Sequence, residues 1–154
     1  MKAFTTNAGV PTAVSALALL TIGVGLYMTL LRPPLLPEDL RVLGVEATSL
    51  PPSLLRWLSV VFTTWGAFIT AFGVLLLGIA RTLSDDRTDV LRWATALGIL
   101  IAFSRFLWSN IVLHSDFLGF IAPLSVFALA TAILLAFDKQ RRSVNLSSDA
   151  KPHG

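Results

Sequence analysis

WATALGILIAFSRFLWSNIVLHSDFLGFIAPLSVFALATAILLAF, residues 93–137, contains two apolar runs separated only by His114-Ser115-Asp116. Each run has about 20 residues, the length an α-helix needs to cross a bilayer core roughly 30 Å thick. Lipid offers the backbone no water, so a run of this kind must satisfy its own N–H and C=O groups as helix. Three polar residues leave room for a tight turn and nothing more. The stretch therefore predicts two neighbouring, antiparallel transmembrane helices.

Two more apolar runs lie toward the N-terminus. Together they predict an all-α fold: a four-transmembrane-helix antiparallel bundle with spans at 9–31, 53–80, 93–113 and 117–137. The composition, 55% hydrophobic and 14% charged, suits this class because the apolar residues are gathered in those four runs. A cleaved signal peptide is the competing reading of the first run, with Lys2 as its positive head. Such peptides have an apolar part of about 7–15 residues that closes on a small-residue cleavage site. Here the run continues to Leu31 and stops at Arg32-Pro33-Pro34, so a retained span is predicted. The chain then divides into a transmembrane domain, 1–137, and a polar tail, 138–154, expected to be disordered and cytoplasmic.

The longest connection, RPPLLPEDLRVLGVEATSLPP at 32–52, carries five prolines, which rule out one long helix. Pro37 suits a first helical position, Glu38 and Asp39 suit the positive end of a helix dipole, and Gly44 suits a stop. Leu36, Leu40 and Leu43 then share a face. A short amphipathic helix on the membrane surface or across the end of the bundle is expected. The plainer alternative is an irregular loop with the same leucines buried. In the polar connection 81–92, Ser84 reads as an N-cap with Asp85 and Asp86 in the first turn, a solvated helix start and not a metal cluster.

Small residues mark the predicted packing seams: Gly66, Ala67, Ala71 and Gly73 in the second span, and Ala128, Ala132 and Ala136 in the fourth. Thr63, Thr64 and Thr70 can bond carbonyls of their own helix. Sidedness follows from the basic residues. With both termini inside, the inner segments hold Lys2, Arg81, Arg87, Arg92, Lys139, Arg141, Arg142 and Lys151, against Arg32, Arg41 and Arg56 outside. The positive-inside rule then puts both termini in the cytoplasm and the proline-rich loop outside. The sequon Asn145-Leu146-Ser147 falls on the side that is not glycosylated.

Several function classes drop out. Without cysteine there is no disulfide, thiol redox chemistry or thiolate metal site. The basic residues flank apolar runs instead of forming a basic face, so nucleic acid is not an expected partner. His114 and His153 fall on opposite sides of the membrane, so no metal site is expected. No cofactor is indicated.

One charge lies well inside a span. Arg105 near the middle of the third span costs roughly 2.5–3.5 kcal/mol on insertion scales. At about 100° per residue, Ala94, Gly98, Ala102 and Ser109 lie at about −20°, +20°, +60° and +40° from it. Arg105 thus sits on a small-residue face and is expected to turn into the bundle. Asn110 and His114 share a second face. No carboxylate lies in any span, and the nearest acids are Asp116, Glu38, Asp39 and Glu46. Arg105, Trp108, Ser109, Asn110, His114 and Asp116, with Glu38 and Asp39 from the loop, are the candidate residues of an outward-opening pocket. The forked donors of a guanidinium suit the phosphate or carboxylate of an anionic lipid or amphiphile. The plainer alternative makes Arg105 a clamp between helices.

The leading functional expectation is a non-enzymatic membrane protein that packs, within the lipid bilayer, against another membrane protein or against itself as a homo-oligomer. Binding or modification of an anionic lipid around Arg105 is the alternative. Small-molecule transport is the third; proton coupling would call for a membrane-embedded carboxylate, and the first span has none. RPPLLPEDLR at Arg32–Arg41, followed by an apolar span, resembles a loop of small, uncharacterised bacterial four-helix membrane proteins. The resemblance covers this loop and the four-span layout. It implies a bacterial inner-membrane protein and transfers no functional residue.

Overall fold

A computed structural model of the protein describes residues 9–83 and 89–149. It contains five α-helices: α1 (Gly9–Leu30), α2 (Pro37–Leu43), α3 (Pro52–Thr82), α4 (Asp89–Val112) and α5 (Leu118–Asp149), with a 3-10 turn at Ala47–Ser49. No strand occurs among the described residues. Among the described residues, four helices are long and apolar enough to cross a membrane: α1, α3, α4 and the Leu118–Phe137 part of α5. The expected cap at Ser84, Asp85 and Asp86 lies outside the described residues, as do Lys2, Arg87, Lys151 and His153. Beyond Phe137, where a disordered tail was expected, α5 stays helical to Asp149. The change at 137 is one of composition, not of backbone.

The exterior of the bundle is apolar. Phe68 is 71% exposed, Leu75 65% and Val126 64%, a surface that lipid accommodates and water does not. All four tryptophans, Trp57, Trp65, Trp93 and Trp108, also face outward.

The helices associate in two pairs. α1 packs along α3, α4 packs along α5, and α1 also meets α5. The α1–α3 seam is built from two matching Gly-x-x-x-Thr units, Gly25/Thr29 and Gly66/Thr70. A Cβ on Gly25 would stand 2.5 Å from the Thr70 backbone nitrogen; one on Gly66 would stand 2.7 Å from that of Thr29. Gly73 faces Ile22 and Ala18 in the same way. Along this seam the register falls on α3 as it rises on α1. Thr29 Oγ1 donates to Gly25 O (2.8 Å) and Thr70 Oγ1 to Gly66 O (2.9 Å), so neither hydroxyl is left unsatisfied in an apolar medium. Gly66 and Gly73 were expected in this seam, whereas Ala67 and Ala71 turn away and are exposed.

The main apolar core lies in the half of the bundle away from α2. It joins Val14, Leu17 and Ala18 of α1, Leu76 and Ala80 of α3, Ile99 and Phe103 of α4, and Leu124, Ala128 and Leu135 of α5. Ala128 and Ala132 are buried and Ala136 is packed against the same core, so the expected alanine seam is in place. At this end Arg92, itself buried, donates through Nη2 to Leu83 O and ties the start of α4 to the end of α3.

Candidate functional site

The end of the bundle at which α2 lies, here the cap end, holds most of the polar chemistry. Helix α2 starts where its sequence says it should. Pro37 occupies the first turn, and Asp39 reaches back so that its Oδ2 accepts the Leu36 N–H at 2.8 Å. It stops at Gly44, whose φ of 65° is left-handed backbone, with the Gly44 N–H donating to Leu40 O at 3.0 Å. Glycine adopts that conformation without a Cβ clash.

Arg32 organises the loop before α2. Its Nη2 pairs with Asp39 Oδ2 at 2.8 Å, with only 7% and 15% of the two side chains exposed. Its Nη1 donates to Pro33 O at 3.0 Å, and the guanidinium carbon stands 3.5 Å from the centre of the Phe62 ring on α3. One cation therefore joins the end of α1, the prolines, α2 and α3.

On its other side α2 reaches the turn between α4 and α5. Glu38 is 2% exposed, and its Oε1 accepts from Ser115 Oγ at 3.0 Å. Ser115 Oγ in turn accepts the Phe117 N–H at 3.2 Å. The second oxygen, Glu38 Oε2, is buried without a hydrogen-bond partner. Arg41 Nη2 meets Asp116 Oδ1 at 2.6 Å, both side chains 57% exposed. Such a pair contributes about 0–1 kcal/mol. Tyr27 and Phe117 add a tilted ring contact at 6.1 Å. Helix α2 thus spans the two helix pairs. What it buries most deeply is a carboxylate, while Leu36 and Leu40 are half-buried and Leu43 is exposed. The leucine face, expected on the membrane surface or across the end of the bundle, is therefore only partly buried.

Arg105 is not turned into the bundle. It lies on the exposed face of α4, while Arg92, Thr95, Ala96, Ile99 and Phe103 form the buried face. Periodicity grouped Arg105 correctly with Ala94 and Ala102, which are also exposed, and with half-buried Gly98. The error lay in assuming that this small face is the one the bundle uses. Helix α5 already offers an alanine seam, and α4 answers it with the larger Ile99 and Phe103. Arg105 Nη1 donates to Ser109 Oγ at 2.7 Å, and Ser109 Oγ donates to Arg105 O at 2.9 Å. Trp108 is exposed alongside, and Asn110 Nδ2 donates to Phe106 O at 2.9 Å.

The eight expected residues therefore fall in separate places. Glu38, Asp39 and Asp116 belong to the cap; Arg105, Trp108 and Ser109 belong to the outer face of α4. Asn110 is spent on its own helix. His114 occupies a left-handed position in the turn, with φ 48°, and is exposed. None of the acids meets Arg105, so one shared pocket is not formed. Sequence reasoning missed Arg32, Arg41 and Ser115 as partners of those acids. The two arginines were legible as candidates, being the cations of the same loop, but Ser115 carried no signal. Comparison with family models, curated proteins and solved structures finds no match.

Proposed function

We propose that this protein is a non-enzymatic accessory protein of a bacterial inner membrane that works by docking a transmembrane helix against the outer face of α4. One observation carries the reading: Arg105 stands on that face, in the span, with no counter-charge among the described residues. Polar and ionisable groups at such depth normally pair with other helices. Ala94 and Ala102 are exposed on either side of Gly98, and a Cβ on Gly98 would meet nothing within 4 Å. Small residues of this kind let a second backbone approach closely. The distribution of basic residues supports cytoplasmic termini and an external cap.

Gly98→Leu tests the reading, because it adds bulk where no atom of the protein's own fold is met. Solubilised in mild detergent, the wild type should migrate as a complex on a native gel, and Gly98→Leu should migrate as a monomer with unchanged thermal stability. A wild type released from its own membrane with no other chain bound to it would rule the reading out.

A second reading is favoured by the path of the Arg105 side chain. It runs along α4 to Ser109, toward the cap end, beside exposed Trp108. An anionic lipid headgroup there would meet a guanidinium fork and an interfacial aromatic. Equal lipid copurification with Arg105→Gln and wild type would remove it. Transport gains no support: Glu38, the one buried acid among the described residues, lies in the cap and not in a span.

A further inference from the structure

We infer that the helix seated on the α4 face is not a second copy of this chain but a segment of a different protein, with an aspartate or glutamate at the depth of Arg105. The inference rests on the docking proposed above and names the partner's chemistry.

Arg105 lies seven residues before the end of α4 at Val112, about 10 Å below it at 1.5 Å per residue. A guanidinium offers five N–H donors and no acceptor. One donor goes to Ser109 Oγ, a neutral group that itself donates back to the α4 backbone. The side chain is exposed, and its remaining donors have no partner among the described residues, so they call for a negative charge.

This chain has none to give at that depth. Asp39 is held by Arg32 and Asp116 by Arg41, while Glu38 is buried against Ser115. No acid occurs between Val90 and Val112, nor in α1, α3 or the spanning part of α5. Two copies inserted with the same sidedness put every residue at the same depth in both. A two-fold contact through α4 would set Arg105 against Arg105, and any other spanning face of a second copy would bring no acid. A carboxylate from another chain completes the fork with two parallel hydrogen bonds. The small residues beside Arg105 bring the partner backbone close enough for a short acidic side chain to reach.

The test uses the full chain in phosphatidylcholine vesicles at mildly alkaline pH. It carries a donor dye on a single cysteine introduced by Val45→Cys, since the chain has no other cysteine. Acceptor-labelled Leu/Ala helices of spanning length carry one Glu, Gln or Lys at the depth of Arg105. The Glu helix should associate about tenfold more tightly than the Gln helix, the scale of one interhelical polar contact in a membrane. Arg105→Gln should erase that preference, and Arg105→Glu should shift it to the Lys helix. Reversal of preference is not something a misfolded variant produces. Equal association of all three helices overturns the inference. So does energy transfer between two labelled copies of the chain as strong as with the Glu helix. Loss of the Glu preference when phosphatidylglycerol is mixed into the vesicles also overturns it, by assigning Arg105 to lipid phosphate. Gly98→Leu separates the two levels. If it abolishes association of helices that bind equally, docking stands and the acid is wrong. If it changes nothing, the docking reading fails as well.

Discussion

Arg32 and Arg41 show how little an ion pair means without its surroundings. Both are loop arginines paired with aspartates, yet the Arg32 pair is nearly buried and the Arg41 pair is open. Removing one partner of a buried pair leaves the other charge uncompensated, at about 3–5 kcal/mol. Arg32→Ala also loses the Phe62 ring contact. It should destabilise the protein by roughly 3 kcal/mol in an SDS-titration unfolding assay, and Arg41→Ala should stay within about 1 kcal/mol of wild type. An equal effect of the two would contradict this account. At the same scale, Arg105 marks the limit of sequence reasoning. Helical spacing placed it correctly among Ala94, Gly98 and Ala102. Spacing carries no sign, however. In water an apolar face points inward, but lipid is as apolar as the protein interior, so no gradient says which face of a span its own bundle takes.

At the scale of elements, the α1–α3 seam makes the sharpest prediction. Gly25→Ala and Gly66→Ala each place a methyl within 2.7 Å of a backbone nitrogen that cannot move aside without separating the helices. Each should cost about 1–3 kcal/mol, the range for overpacking. Gly98→Ala meets open space and should be neutral, or stabilising by up to about 1 kcal/mol through helix propensity. Circular-dichroism melts in detergent compare the three directly. The spans themselves were legible within a few residues of their observed ends, because length and apolarity alone define them. Gly25 was not legible. Gly23 and Gly25 look alike in the sequence, and only the register against α3 shows that Gly25 makes the contact while Gly23 faces open space. Helix α2 was legible from Pro37 and Gly44, which act locally. Its inward face was not, since burial of Glu38 depends on Ser115, 77 residues away.

For the whole molecule, the two helix pairs meet through α1 and α5, and each end carries a tie. Arg92 and Leu83 close one end; α2 crosses the other. Ser115→Ala would leave both oxygens of buried Glu38 without a partner, a loss of about 1–3 kcal/mol. Because α2 is a short element outside the core, that loss should appear as local opening. Amide hydrogen exchange at residues 38–43 should accelerate while α1 and α3 exchange as in the wild type. Uniform acceleration across all helices would mean that the cap and the bundle unfold as one unit.

The four outward-facing indoles give the molecule a built-in ruler. Trp93 sits four residues into α4, Trp108 four residues before its end, Trp57 five residues into α3 and Trp65 thirteen. Lipids brominated near the chain terminus should quench the fluorescence of a Trp65-only variant more strongly than that of a Trp93-only variant, and bromines near the glycerol should reverse the order. Four single-tryptophan proteins thus report immersion depth and tilt from emission intensity, with no dye attached.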